Sequence, residues 1–236
     1  MTTHASRYSA LIDVYLRPKS IFSELTQYRQ VGWLALAVLA LFVAGINYFF
    51  VDGMSLHWLV EQQMMQMNDL NMNERKATAN MLVELAPNMA LITLLSSAVF
   101  IVVIVALNGL YLYGLSQFKI LSSSYQYQDW FAFSIWCFMP LAINALGLFI
   151  FVLMAPSPDV SLLLADYASL NQLFLGLQPQ SSFFELTQTI NLFYLWVIAI
   201  TSIGIKQCCQ VDIIKAVFIA SLPYVLLFSV WFVLAI

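Results

Sequence analysis

Followed for the spacing of apolar and polar positions, the chain falls into five long apolar stretches, at about 31–51, 87–115, 130–155, 189–205 and 213–236. The segments between them hold nearly all of its charge. A helix rises about 1.5 Å per residue, so roughly 20 residues cross a hydrocarbon core about 30 Å thick. Each stretch reaches that length or nearly so, the fourth only if Thr189 and Gln188 sit at the interface. The pattern predicts an all-α, polytopic membrane protein with five transmembrane helices.

Two other segments show helical periodicity instead of a continuous apolar run. Before the first span, Tyr8, Leu11, Ile12 and Tyr15 recur at spacings of three and four, which puts them on one helix face. Pro18 then opens a second short helix, where its missing N–H costs nothing, and Ile21, Phe22 and Leu25 continue the stripe. Residues 1–30 therefore read as an amphipathic arm, lying on the membrane surface or packed under the bundle, and 31–236 as the membrane domain. Arg17, Lys19 and Phe22 are the arm's expected lipid- or partner-facing residues. In the loop at 52–86, Leu56, Leu59, Val60, Met64 and Met67, then Ala77, Met81, Leu82 and Leu85, predict two amphipathic helices joined near 68–73.

Composition narrows the class. With 62% hydrophobic and 9% charged residues, against about 25% charged in ordinary soluble domains, the chain has more apolar surface than a soluble fold can hide. Nucleic acid is not an expected partner; the lipid bilayer is. The basic residues set an orientation, since positively charged loops resist translocation. Arg7, Arg17, Lys19, Arg29, Lys119, Lys206 and Lys215 fall on the side of the N-terminus, and only Arg75 and Lys76 opposite. The N-terminus is expected in the cytoplasm and the C-terminus outside. The first apolar run begins only at Val31 and exceeds a signal-peptide core, so it reads as an uncleaved anchor.

Candidate sites are few. Asp129 precedes Pro140 by eleven residues, and Asp212 precedes Pro223 by eleven, suggesting two related hairpins, with Gly114 and Gly204 near the ends of the preceding spans. Each aspartate can cap a helix N-terminus, and each proline, about 16 Å further on, frees the carbonyl four residues back, on Trp136 and Ile219. The kinks either shape a compact bundle, with Asn108, Asn144 or Asn191 satisfying the loose carbonyls, or line a path for a small or lipidic substrate. No Asp, Glu, Lys, Arg or His lies well inside any span, which weighs against ion-coupled transport. Ser134 and Ser221 lack a base and are expected to bond the preceding turn. No catalytic motif or cofactor loop is present, and no enzyme, catalytic residue, cofactor or metal is expected. Met64, Met65 and Met67 are weak candidates for copper on the outer face, or else apolar filling. Cys208 and Cys209 read as small residues in a turn. Small residues Ala40 and Ala44, or Ala216 and Ala220, offer faces for a homo-oligomer or another membrane protein.

RPKSIFSEL at 17–25, YQDWFAFSIWCFMP at 127–140 and the closing stretch from Gly204 through Lys215, Ala216 and Pro223 resemble the Yip (Rab-interacting) family of five-span membrane proteins, in its short bacterial form. The resemblance implies an integral membrane protein without a demonstrated catalytic site; the short arm and lack of targeting signals favour the bacterial inner membrane, where the protein is expected to organise protein partners or lipids. Eukaryotic members associate with small GTPases. Only about 30 residues precede the first span here, a departure from the eukaryotic pattern that argues against GTPase binding.

Overall fold

The computed structural model describes residues 9–67 and 71–235. Arg7 and Tyr8, read above as part of the arm, lie outside them. The arm forms α1 (Ala10–Leu16) and α2 (Pro18–Ser23), with Pro18 in the first turn as its spacing predicts. Next comes α3 (Leu25–Asp52), which starts six residues before the apolar run and so takes in the end of the expected arm. The outer loop holds α4 (Leu56–Gln66) and α5 (Met72–Leu85). Asn71 starts α5 with a capping box: its Oδ1 accepts the N–H groups of Asn73 and Glu74, both at 3.0 Å, and Glu74 accepts the Asn71 N–H at 3.1 Å. A tight turn at Ala86–Asn88 leads into α6 (Met89–Gln117).

The third apolar stretch is two helices, α7 (Tyr127–Phe138) and α8 (Pro140–Met154), because Pro140 cannot donate to the turn before it. After an irregular stretch come α9 (Phe184–Thr189), α10 (Leu192–Cys209) and α11 (Ile213–Leu234). The fourth span thus runs later than the apolar count places it. Its 18 residues reach about 27 Å, enough for a span with little to spare. Among the described residues five helical runs, through α3, α5–α6, α7–α8, α10 and α11, are long and apolar enough to cross a membrane.

The chain divides into two compact units, the first made of Met1–Ala40, Val99–Ala142 and Phe193–Leu227, the second of Leu41–Ala98, Ile143–Leu192 and Phe228–Ile236. In the first, α7 is the centre: Trp130, Phe133 and Trp136 are fully buried, and every residue from Ala132 to Met139 is covered. Gly109 of α6 makes this possible, since a Cβ there would sit 3.1 Å from the Phe131 backbone. Ala216 and Ala220, expected as a face for another chain, are buried inside this unit, and Ala44 is buried in the second. Small residues let the chain's own helices approach, and these three are used that way.

The second unit has a core of Phe50, Val51, Met54, Leu59 and Leu148. Its irregular segment is tied to the start of α4. The Ser55 N–H and hydroxyl both donate to Asp159, at 2.6 and 2.9 Å, and the Trp58 indole donates to the Val160 carbonyl at 2.8 Å. These bonds fix a stretch that lacks helix periodicity.

Candidate functional site

The arm has two faces of opposite character. Ala10, Val14, Ile21 and Phe22 are buried in the first unit, while Ile12 is 63% and Leu16 73% exposed beside exposed Arg17 and Lys19. Two expectations are corrected. Ile12 does not share the buried face, and Phe22, expected at a surface, is 1% exposed. The Phe22 ring stands 4.8 Å from that of Phe133, and both rings occupy the space that a side chain at position 204 would fill; a Cβ on Gly204 would meet them at 3.0 and 2.6 Å. Tyr15 donates its hydroxyl to the Met139 carbonyl at 2.8 Å and packs edge-on against Trp196. Burial pushes the Tyr15 phenol up to about 12, so it stays a neutral donor. The Cys208 thiol donates to the Phe22 carbonyl at 3.5 Å, and Cys209 is buried, so the vicinal pair is absorbed in packing.

The aspartates cap helices by different routes. Asp129 is the third residue of α7 and accepts the Gln126 N–H at 3.0 Å in a capping box, whereas Asp212 is the N-cap of α11 and accepts the Ile214 N–H at 2.9 Å. The prolines differ as well. Pro140 separates two helices, while Pro223 lies within a continuous one. The matching Asp-to-Pro spacing therefore covers two unlike local structures, and Gly114, the counterpart of Gly204, faces open space.

Nor do the asparagines meet the freed carbonyls. The Ile219 carbonyl, released by Pro223, accepts the Tyr111 hydroxyl at 2.9 Å, and the Trp136 carbonyl accepts the Met139 N–H in a tightened turn at 3.5 Å. Asn108 instead donates to Ser134 at 2.9 Å, and Ser134 to the Trp130 carbonyl one turn back, as expected of a serine in a span. Ser221 likewise bonds the Phe218 carbonyl at 3.2 Å. Asn144 and Asn191 belong to the second unit, where Asn144 carries a buried Oδ1 without a partner and Asn191 pairs with Ser169 in an isolated antiparallel bridge just before α10. At Pro223 the freed carbonyl is therefore already taken by Tyr111.

One open feature of the first unit is a groove of about 420 Å³ between α3 and α7, lined by Arg29, Trp33, Phe131 and Ile135 among others. Of these Arg29 pairs with Asp129, Nη1 to Oδ1 at 3.1 Å. In the second unit a polar cluster escaped the sequence reading. Gln188 Oε1 accepts from Asn171 at 3.2 Å and Ser169 at 3.4 Å, and Gln188 Nε2 donates to Asp166 at 3.4 Å. Asn171 also holds both the N–H and the carbonyl of Leu177, at 2.7 and 3.2 Å. Burial raises the Asp166 carboxyl, and the Gln188 bond draws it back. The available signal was a run of Asp, Ser, Asn and Gln in an otherwise apolar chain. Of the methionines, Met64 is buried while Met65 and Met67 are exposed, and the Met65 sulfur accepts from Gln62 at 3.8 Å. Among the described residues no group of three His, Cys, Asp or Glu is placed to hold a metal.

Spanning helices, an arm tucked into them and side-chain hydrogen bonds spent on helix ends define a multi-pass α-helical membrane protein. Residues 12–235 match the family model of the Yip1 domain, nearly the whole chain, and the chain belongs to the Yip1 family. Neither the curated proteins nor the solved structures contain a match.

Proposed function

We propose that this Yip1-family protein is a non-enzymatic, multi-pass protein of the bacterial inner membrane that organises lipids or other membrane proteins through its bundle and its cytoplasmic arm. The observation that carries the reading is the two-faced arm. An arm that served only as an anchor needs its inner face, Ala10, Val14, Ile21 and Phe22. Ile12 and Leu16, one turn apart and exposed beside Arg17 and Lys19, form a second apolar and cationic surface on a segment already held in place. Such a surface suits an anionic leaflet or a partner docked against it. Passage of a substrate past the prolines has less support, because the carbonyl that Pro223 frees is occupied by Tyr111.

The test is purification from native membranes of the wild type and of a variant combining Ile12→Ser, Leu16→Ser, Arg17→Gln and Lys19→Gln, with mass spectrometry of co-purifying proteins and lipids. A partner or lipid enriched with the wild type and lost with the variant supports the reading. Identical co-purifying sets would contradict it.

A further inference from the structure

We propose that the groove between α3 and α7 binds one anionic phospholipid, its phosphate at Arg29 and one acyl chain along Trp33, Phe131 and Ile135. The inference rests on the reading of this protein as an organiser of lipids, and it names a site separate from the exposed face of the arm.

Depth comes first. Arg29 lies in the second turn of α3, two residues before the apolar run begins at Val31, and Trp33 lies one turn further in, about 6 Å. That places a guanidinium at headgroup level and an indole at the boundary with the acyl region, the order in which a phospholipid presents its phosphate and its chain.

Charge then selects the headgroup. In the Arg29–Asp129 pair the arginine side chain is 50% exposed and the aspartate side chain 13%. The carboxylate is also spent inward: Oδ1 takes Arg29 and Oδ2 takes the Gln126 N–H. Arg29, which lines the groove, is therefore the more exposed half of the pair. One guanidinium donor is used at 3.1 Å, and the others remain for phosphate oxygens, which a planar fork meets two at a time. The ion pair holds that fork in place before a lipid arrives.

The walls fit a chain. Trp33, 64% exposed, leans on Phe131 with ring centroids 5.6 Å apart, and Ala132 and Ile135 give the groove an apolar floor. Its volume of about 420 Å³ falls in the range of small-molecule sites, roughly 300–1,000 Å³.

The experiment reconstitutes the full chain in vesicles with equal parts phosphatidylglycerol and phosphatidylcholine of matched chains, extracts it in mild detergent and counts retained lipid by mass spectrometry. The wild type should retain phosphatidylglycerol over phosphatidylcholine by about fivefold, the effect of one cation at a membrane surface. Arg29→Gln should abolish the preference, Arg29→Lys should keep most of it, and Trp33→Ala should lower retention of both lipids. Excess inorganic phosphate should not displace the lipid. Retention without headgroup preference in the wild type would overturn the proposal, as would displacement by phosphate. If Arg17→Gln with Lys19→Gln removed the preference and Arg29→Gln did not, this site would fail while the arm reading stood. If the arm variant lost its partners or lipids and the Arg29 effect was absent, the same conclusion would follow.

Discussion

The two units are stabilised by different means. The first is an aromatic core on a central helix, with Phe22 against Phe133 and both rings admitted by the missing side chain of Gly204. The second keeps an irregular segment in place with polar side chains, Gln188 serving Ser169, Asn171 and Asp166 at once. Losing a packed ring opens a cavity, whereas losing a shared hydrogen-bond hub leaves several polar partners unpaired together. The functional surfaces proposed here, the arm and the groove beside Arg29, both belong to the apolar unit, where a fixed segment can offer an outer face.

The sharpest way to break the contrast is Phe22→Ala. Removing a buried ring at a site it shares with Phe133 should cost about 3–5 kcal/mol and release the arm. Limited proteolysis should then cut near α2 while the spans stay protected. In the second unit, Gln188→Leu should cost about 1–3 kcal/mol, because it leaves Asn171, Ser169 and Asp166 without their shared partner. Hydrogen exchange should accelerate in 166–191 and not in α7. A smaller effect, about 1 kcal/mol, is expected for Tyr111→Phe, which uncovers the Ile219 carbonyl. In a Pro223→Ala background the restored helix N–H should take that carbonyl, and Tyr111→Phe should cost less; thermal unfolding of the four proteins gives the coupling.

The smallest effect is one of pH. Burial holds the Asp166 carboxyl above its ordinary value of 3.8. The folded protein therefore binds that proton more tightly than the unfolded chain does. Its contribution to stability is full below 3.8 and is lost as pH rises through the raised folded value. Asp166→Asn removes this slope, so the melting temperature of the variant should hold level where that of the wild type declines.

Much of this architecture was legible because the periodicities that encode it are local. The apolar runs gave the spans, Pro18 the start of α2, Asp129 and Asp212 the helix caps, and Ser134 its bond to the preceding turn. The same local view misjudged the arm, because α1 has apolar residues on both sides: Ala10 and Val14, outside the stripe, are buried, while Ile12, counted in it, is exposed. Contacts between distant positions were not legible at all. Tyr111 and Ile219 stand 108 residues apart, and a tyrosine in a span reads first as an aromatic body, not as the donor that repairs a proline. The Gln188 cluster escaped for the same reason: its partners are 17 to 22 residues away across an irregular segment with no repeat to follow.

The central claim, an arm fixed by its inner face and open on its outer one, is tested most directly by thiol labelling in native membrane vesicles. Lys19→Cys and Ile21→Cys, two residues apart on α2, are each treated with a membrane-impermeant maleimide from the arm's side. The account predicts that Lys19→Cys reacts above the background of the native cysteines, and that Ile21→Cys reacts only once Phe22→Ala has released the arm. Equal labelling of the two positions in the otherwise wild-type protein would contradict it.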